Sequence, residues 1–488
     1  MRGSVSPVVT SPAGADVLPP RVVIAGTHSG VGKTTVTAGL LAALRRAGVR
    51  VASAKVGPDY IDPGYHQLAT GRPSRNLDLW MCGHEAVLGV AARAAAGADL
   101  LVVEGVMGLF DAAGDGSPSS TAHVAQLLRA PVVLVVDAGA MSGSVAALVH
   151  GFRTFDPGTG VAGVILNRVG SAGHEMLLRE ALADCGVPVL GALHRDDRLV
   201  WRDRHLGLVP VVERSSSVAG ALDVLAATIG QRLDLRALSA LAGTAPPLTP
   251  QLTADVRVSS ASSAGSWAPT GGVPVPPSPA GAAAVRIAVA AGAAFSFTYP
   301  DNLEALEAAG AELVPFDPLR DEVLPEALSG LVVGGGFPEV YAEQLAANPR
   351  LLADVRRRID AGLVTWAECG GLLWLARRLD GHPMAGVVAA DGSMTSRLTL
   401  GYRTASVQRD TPLGPAGTTV RGHEFHYSTT EPAGDALHLV GRHGEGAAGF
   451  AGSRLLASYL HVHLAGRQDL ANSFVERCRS ALPVPYLS

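Results

Sequence analysis

Residues 21–46, RVVIAGTHSGVGKTTVTAGLLAALRR, leave the chain few ways to fold. An apolar run, VVIAGT, enters a loop of small residues and leaves it through an Ala/Leu-rich helical stretch. Small residues let backbone N–H groups curl around phosphate, and the helix start adds a field that favours anions. Lys33 supplies a point charge and Thr34 a hydroxyl suited to Mg²⁺. Gly30, Gly32, Lys33, Thr34 and Thr35 are therefore the expected ATP contacts. The pattern is offset from G-x-x-x-x-G-K-[ST], because its first position is Thr27 and Gly26 comes one residue early. Further runs, LLVVEG, VVLVVDAG, VAGVILNR and VPVLGAL, alternate with Ala/Leu-rich stretches, as buried parallel strands and their crossover helices do.

A composition shift then divides the chain. Residues 241–285 are rich in Pro, Ser, Gly and Ala, and no charged residue occurs from Val258 to Val285. Such a segment buries too little apolar surface to offset its ordering entropy, and reads as a flexible linker. The expected organisation is a tail at 1–20, an α/β domain at 21–240, the linker at 241–285, and a second α/β domain at 286–488. The second repeats the rhythm in RIAVAAG, AELVPFD, LSGLVVGGG and LVTWAEC, then drifts toward β-like sequence around 395–460. Two open, mostly parallel sheets covered by helices are expected.

The formal net charge of -4 gives no reason to expect a nucleic-acid partner. The apolar window 130–149 is broken by Gly, Ser and Asp137, so no membrane span is expected. Cys82, Cys185, Cys369 and Cys478 share no metal or redox spacing, which suits a reducing cytoplasm. Arg greatly outnumbers Lys, a sign of a GC-rich genome, and the only lysines are Lys33 and Lys55.

Two acidic clusters follow the phosphate loop. KVGPDYIDPGYH carries Lys55, Asp59 and Asp62, and LLVVEGVMGLFDAAGD places Glu104 at a strand end with Asp111 beyond it. Ligands of open α/β sheets sit past the carboxyl ends of strands, where Asp62 and Glu104 could hold Mg²⁺ against ATP. Asp115 reads as a solvated loop acid. Asp137 is open to a supporting or a purely structural role, and Asn167, after a strand, could contact the nucleobase.

In LVTWAECGGLLWL, Cys369 sits on a strand-to-helix elbow, where the helix start stabilises a thiolate. A free thiol is only slightly ionised at neutral pH and needs a base. His461 and His463 alternate in SYLHVH, and His461 is the candidate. Gly335 and Gly336, ending the strand LSGLVVGGG, could offer N–H groups to an oxyanion.

Taken together, GTHSGVGKTT, KVGPDYIDPGYH, EGVMGLFD, RHLGLVP, GGGFPE, AECGGLLWL, RGHEFHYS and SYLHVH resemble the cobyrinic acid and hydrogenobyrinic acid a,c-diamide synthase family. The first half is similar to dethiobiotin synthetase-type P-loop proteins and the second to class I glutamine amidotransferases. The resemblance implies ATP-dependent formation of an acyl phosphate on a corrinoid tetrapyrrole. Ammonia from L-glutamine would then amidate the a and c side chains, as a step in cobalamin biosynthesis. It also implies metal or substrate roles for Asp59, Asp62, Glu104 and Asp111, and contact of Tyr60 and Ile61 with the macrocycle. Two departures stand out: Ala367 replaces the Gly of G-x-C-x-G, and His463 stands where a Glu often follows the catalytic His. A Cys369–His461 dyad is therefore expected, with the group that orients His461 unassigned. His423 and His426 are open to glutamine contact, an interface role or a structural one. The GC-rich signal favours metal-free hydrogenobyrinate over cobyrinate. Nickel sirohydrochlorin amidation, cobyric acid synthesis and a non-catalytic P-loop regulator are the alternatives. Whether the chain acts alone or as a homodimer stays open.

Overall fold

A computed structural model describes residues 17–196, 203–204, 207–208, 215–249, 285–442 and 444–481. Seven strands make the first sheet: β1 (Arg21–Gly26), β2 (Val51–Val56), β3 (Arg75–Leu77), β4 (Leu100–Glu104), β5 (Val132–Asp137), β6 (Val161–Val169) and β7 (Val189–His194). Their order is β3-β2-β4-β1-β5-β6-β7, and every pairing is parallel. The strands read as unbroken Val/Ile/Leu runs because helices cover both faces, and the two buried clusters lie one on each side. Gly26, Glu104, Asp137 and Asn167 all fall at or near carboxyl ends, which makes that edge the reactive one.

The stretch expected as linker starts later than its composition suggests. Residues 243–249 lie on the first sheet: the Leu18 N–H donates to Leu248 O at 2.9 Å and Arg21 Nη2 to Pro246 O at 2.7 Å. Leu18 is itself buried, so residues 17–20 join the domain rather than the tail. Residues 1–16, most of the linker (250–284) and most of RHLGLVP lie outside the described residues. Of the latter, only the short strands β8 (Asp203–Arg204) and β9 (Gly207–Leu208) are described.

A second sheet begins with β10 (Val285–Ala290), β11 (Ala311–Phe316), β12 (Gly330–Val333) and β13 (Val364–Glu368), all parallel. The β-like stretch builds a third, mixed sheet that the sequence reading did not separate. It holds β14 (Arg378–Leu379), β15 (His382–Pro383), the long hairpin β16 (Asp391–Val407) and β17 (Thr419–Glu431), then β18 (Leu437–Gly441) and β19 (Gly444–Ala448). Next, β20 (Phe450–Gly452) and β21 (Leu455–Ser458) return to close the second sheet, whose order is β11-β10-β12-β13-β21-β20. Last, β22 (His461–Val462) pairs with β17. The chain thus crosses from the second sheet to the third between Ser458 and His461.

Candidate active sites at the domain interface

The phosphate loop is braced from beneath. Gly32 caps the helix Lys33–Arg46 with φ 94°, a backbone shape that glycine adopts without strain. A side chain there would also strike Asn167 Nδ2, 2.4 Å from the position of its Cβ. Asn167 spends that amide on Val31 O at 2.8 Å, and Arg168 spans Asp137 and Gly30 O, the latter at 2.9 Å. Asn167 and Asp137 therefore hold the loop's shape in this structure. Lys33 Nζ donates to Met107 O at 2.5 Å and His28 O at 3.2 Å. Burial, with the Lys55 charge nearby, lowers its ammonium to about 8. Thr35 lies one residue further along the same first turn, half-buried.

Beside it lies a buried charge cluster. Thr34 Oγ1 is 2.8 Å from Glu104 Oε1 and 3.0 Å from Asp62 Oδ2. Lys55 Nζ donates to both carboxylates, to Glu104 at 2.8 Å, and Asp59 stands 3.9 Å away. Burial disfavours the Lys55 ammonium, yet Asp62, Glu104 and Asp59 hold it above its usual range. Glu104 is fully buried, which works against ionisation, but Lys55 and His66, whose Nε2 is 2.6 Å from Oε2, hold its carboxyl low. Burial and Asp59 push Asp62 up. Asp62 and Glu104, grouped with Thr34 in the sequence as candidate metal ligands, thus lie within hydrogen-bond distance of it, and Lys55 and His66 join them.

Asp59 Oδ1 accepts from the Ile61 and Asp62 N–H groups at 2.8 and 3.0 Å, so it shapes the start of the helix Asp62–Thr70. Ile61 is buried in the core face under the phosphate loop. Asp111 is exposed, and its Oδ2 accepts the Gly108 N–H at 2.7 Å. Asp115 is an exposed loop acid, as its sequence context suggests, and it also accepts Trp80 Nε1 at 2.8 Å, which holds its carboxyl down to about 2.

At the other site, Cys369 has φ 49° and ψ −100°, a strained elbow between β13 and the helix Gly370–Leu375. Its N–H donates to Ser458 O at 2.7 Å, tying the elbow to β21. Burial pushes the thiol up, Glu339 adds to this, and the Gly370 N–H opposes it. The resting group is a neutral thiol that needs a base to react. His461 is also buried, beneath Gly335: a Cβ on that glycine would lie 2.5 Å from His461 Cε1. The Gly335 N–H is committed to Phe297 O at 3.1 Å. The two glycines proposed for an oxyanion thus differ, for Gly336 alone faces the elbow, its N 3.1 Å from where a Gly370 Cβ would sit. Gly336 is required by packing, since a Cβ would meet Ala294 O at 2.1 Å.

The sequence reading missed Glu368, the residue just before the nucleophile. Its Oε2 is 3.6 Å from His461 Nδ1, and its Oε1 accepts the Val462 N–H at 2.9 Å. Its only signal in the sequence is adjacency to Cys369, since the usual place for such a carboxylate, two residues after the histidine, holds His463. His463 turns instead toward the domain contact, with its ring 4.4 Å from that of Tyr299.

Tyr60 joins the two sites. It belongs to the first domain, yet its ring stacks on Phe297 at 5.2 Å and packs at 5.1 Å from His461 and 5.8 Å from His423. His423 Nε2 meets Tyr299 Oη at 3.0 Å, and burial beside His461 keeps its imidazole neutral. His426 lies apart, stacked on Tyr459 at 3.8 Å. Around this contact, Trp80 stacks on Tyr402 at 4.6 Å, and Tyr402 Oη donates to Asp78 at 2.9 Å. Arg75 and Arg93 both grip Asp301, at 2.9 and 2.6 Å.

A phosphate loop with a carboxylate cluster, abutting a cysteine elbow with a buried histidine, defines a nucleotide-dependent glutamine amidotransferase. Residues 22–208 match the CobQ/CobB/MinD/ParA nucleotide binding domain, and residues 286–469 the CobB/CobQ-like glutamine amidotransferase domain. The chain is 50% identical over 476 residues to hydrogenobyrinate a,c-diamide synthase of Streptomyces coelicolor, covering 95% of this chain and 98% of that protein. The Thermobifida fusca protein of the same name is 47% identical over the same shares. Cobyrinate a,c-diamide synthase of Syntrophotalea carbinolica is 44% identical, over 94% of this chain and 99% of that one. The chain belongs to the hydrogenobyrinate and cobyrinate a,c-diamide synthase family, and is a carbon–nitrogen ligase with glutamine as nitrogen donor.

Proposed function

We propose that this enzyme amidates the a and c carboxylates of hydrogenobyrinate, with ATP to activate each carboxylate and glutamine to supply the nitrogen. The observation that carries the reading is the loop 55–66. It places Lys55 and Asp62 in the phosphate-side cluster and Tyr60 against the glutaminase histidine, so activation and ammonia release share one boundary. Hydrogenobyrinate is favoured by the names of the 50% and 47% identical relatives; cobyrinate is the second reading, from the 44% identical one. A cytoplasmic setting fits, and no helix among the described residues is long and apolar enough to cross a membrane.

At the activating site the substrate carboxylate attacks the γ-phosphorus of ATP, ADP leaves, and an acyl phosphate forms. Lys33 neutralises phosphoryl charge, and N–H groups of the loop 27–33 orient the phosphates. Mg²⁺ fits the hydroxyl and carboxylate oxygens of Thr34, Asp62 and Glu104, which lie within hydrogen-bond distance of Thr34. It would add charge neutralisation there. Asp59, Tyr60, Ile61 and Asp111 lie on the loops that flank this edge and would present the macrocycle. At the second site Cys369 passes its proton to His461 and attacks the glutamine carboxamide, with Gly336 and Gly370 N–H groups on the oxyanion. The C–N bond breaks, nitrogen takes the proton from His461 and leaves as ammonia, and water hydrolyses the thioester to glutamate. Ammonia displaces phosphate from the acyl phosphate, giving the amide.

Incubation with ATP, Mg²⁺, glutamine and, separately, hydrogenobyrinate, cobyrinate or nickel sirohydrochlorin tests the substrate by mass spectrometry. Two successive losses of one mass unit from hydrogenobyrinate are expected; turnover of nickel sirohydrochlorin alone would overturn the reading. Cys369→Ala should lose glutamine-driven but keep ammonium-driven amidation, whereas Lys33→Ala should lose both.

A further inference from the structure

The structure assigns Glu368 as the positioning residue of the glutaminase base, completing with Cys369 and His461 a triad whose acid precedes its nucleophile. The inference rests on the reading of glutamine as nitrogen donor and deepens that site.

His461 is 1% exposed, and its Nδ1 has no hydrogen-bond partner within the usual limit. A buried ring nitrogen of this kind needs one. The nearest acid is Glu368, 3.6 Å from Nδ1, long for a hydrogen bond but within ion-pair reach. Contacts of this type are commonly loose before substrate binds and tighten in the reacting complex. Glu368 is not free to wander. It ends β13, its other oxygen is held by the Val462 N–H at 2.9 Å, and that residue directly follows His461. One carboxylate therefore touches both the histidine and the backbone that carries it. The Cys369 elbow fixes the other end, because Cys369 N is bonded to Ser458 O, three residues before His461. Strand pairing Glu368↔Ser458 locks the register between the two segments.

The chemistry follows from this arrangement. With Nδ1–H directed at Glu368, the other ring nitrogen, Nε2, carries a lone pair and can take the Cys369 proton. The imidazolium formed in that step is stabilised by the adjacent carboxylate, and its proton then goes to the departing nitrogen. Glu368 keeps its charge throughout and neither gains nor loses a proton. Among the described residues, the other ionisable groups packed on the His461 ring are His423 from β17 and Tyr60 from the first domain, neither of which is a carboxylate. Glu339 and Glu424 lie on the Cys369 side.

Glutamate release from glutamine alone, without ATP or corrinoid, tests this independently of the amidation reading. Glu368→Gln is expected to lower kcat by roughly 10⁴-fold, as the carboxylate-to-amide change does in a serine triad, with KM for glutamine nearly unchanged. The acid limb of its pH profile should move down, because the imidazolium loses its counter-charge. Ammonium-driven amidation should stay near wild type. Unchanged kcat and pH profile in a folded Glu368→Gln would overturn the assignment. A measurement on the unmutated enzyme guards against a variant that fails to fold. Histidine ¹⁵N spectra, with the His461 signal identified by its loss in His461→Asn, should show protonation on Nδ1. A neutral His461 protonated on Nε2 would equally overturn it.

Discussion

Lys55 is one of two lysines in the whole chain, and its ammonium is enclosed by Asp62, Glu104 and Asp59. A buried charge survives only if paired, and removing one partner strands the rest. Lys55→Met should therefore cost about 3–5 kcal/mol in urea or thermal unfolding. Because the same oxygens suit Mg²⁺, the cation should raise the Tm of Lys55→Met more than that of the wild type. Equal shifts would remove Asp62 and Glu104 from the metal site. Residues of this kind were half legible. Thr34, Asp62, Glu104, Cys369 and His461 could be named because each sits at a helix start, a strand end or an elbow. Lys55 and Glu368 lacked roles because theirs depend on which side chain lies opposite in space. Gly335 shows the converse: a backbone N–H reads as available in sequence, while Phe297, nearly forty positions earlier, takes it.

Where elements meet, buried ion pairs join the stacked rings in holding the domain contact. Arg75 on β3 and Arg93 on the helix His84–Ala95 hold Asp301 in the first turn of the helix Pro300–Ala308. His463 is buried beside them, and desolvation, opposed by Asp301 but supported by Arg93, brings its imidazole down to about 4. The unfolded chain, with an ordinary histidine near 6.5, binds more protons between those values. Stability from this group is thus full above about pH 6.5 and is lost as pH falls toward 4. The loss reaches about 3 kcal/mol for such a shift. Asp78, raised by burial to about 6, acts in the opposite sense over part of that range, so the comparison must isolate one group. Unfolding of His463→Asn and wild type between pH 7.5 and 4.5 does so: the wild type should lose its advantage on acidification. A constant difference would mean that His463 does not titrate in this way. Five strands of the first sheet were legible as apolar runs, whereas β2, VASAKV, and β3, RNL, carry no such run. The third sheet was not set apart, because most of β16 is half-buried or exposed, with only Gly392, Ala405 and Val407 buried, and nothing local says which sheet it joins.

For the molecule as a whole, the division into two α/β halves was legible from composition, but the way they interlock was not. KVGPDYIDPGYH reads as one substrate loop, and nothing in it announces that its central Tyr60 also packs against Phe297 and His461 of the second domain. The rings of Tyr60 and His423 pack on His461, those of Phe297 and Tyr299 pack on Tyr60, and Asp62 lies two residues further on in the phosphate-side cluster. Two residues span at most about 7 Å of chain. One segment of the first domain thus reaches from His461 to the phosphate-side cluster, and nitrogen handed across that boundary is expected to stay out of bulk water. Neutral ammonia that reached bulk water would pick up a proton and cease to be a nucleophile, so a shared boundary favours direct transfer. With unlabelled glutamine and an equal concentration of ¹⁵N-ammonium in the medium, the amides should carry almost entirely the glutamine nitrogen. Free mixing of the two isotopes would show that the nitrogen escapes before it is used, and that the closeness of the two sites has no bearing on its fate.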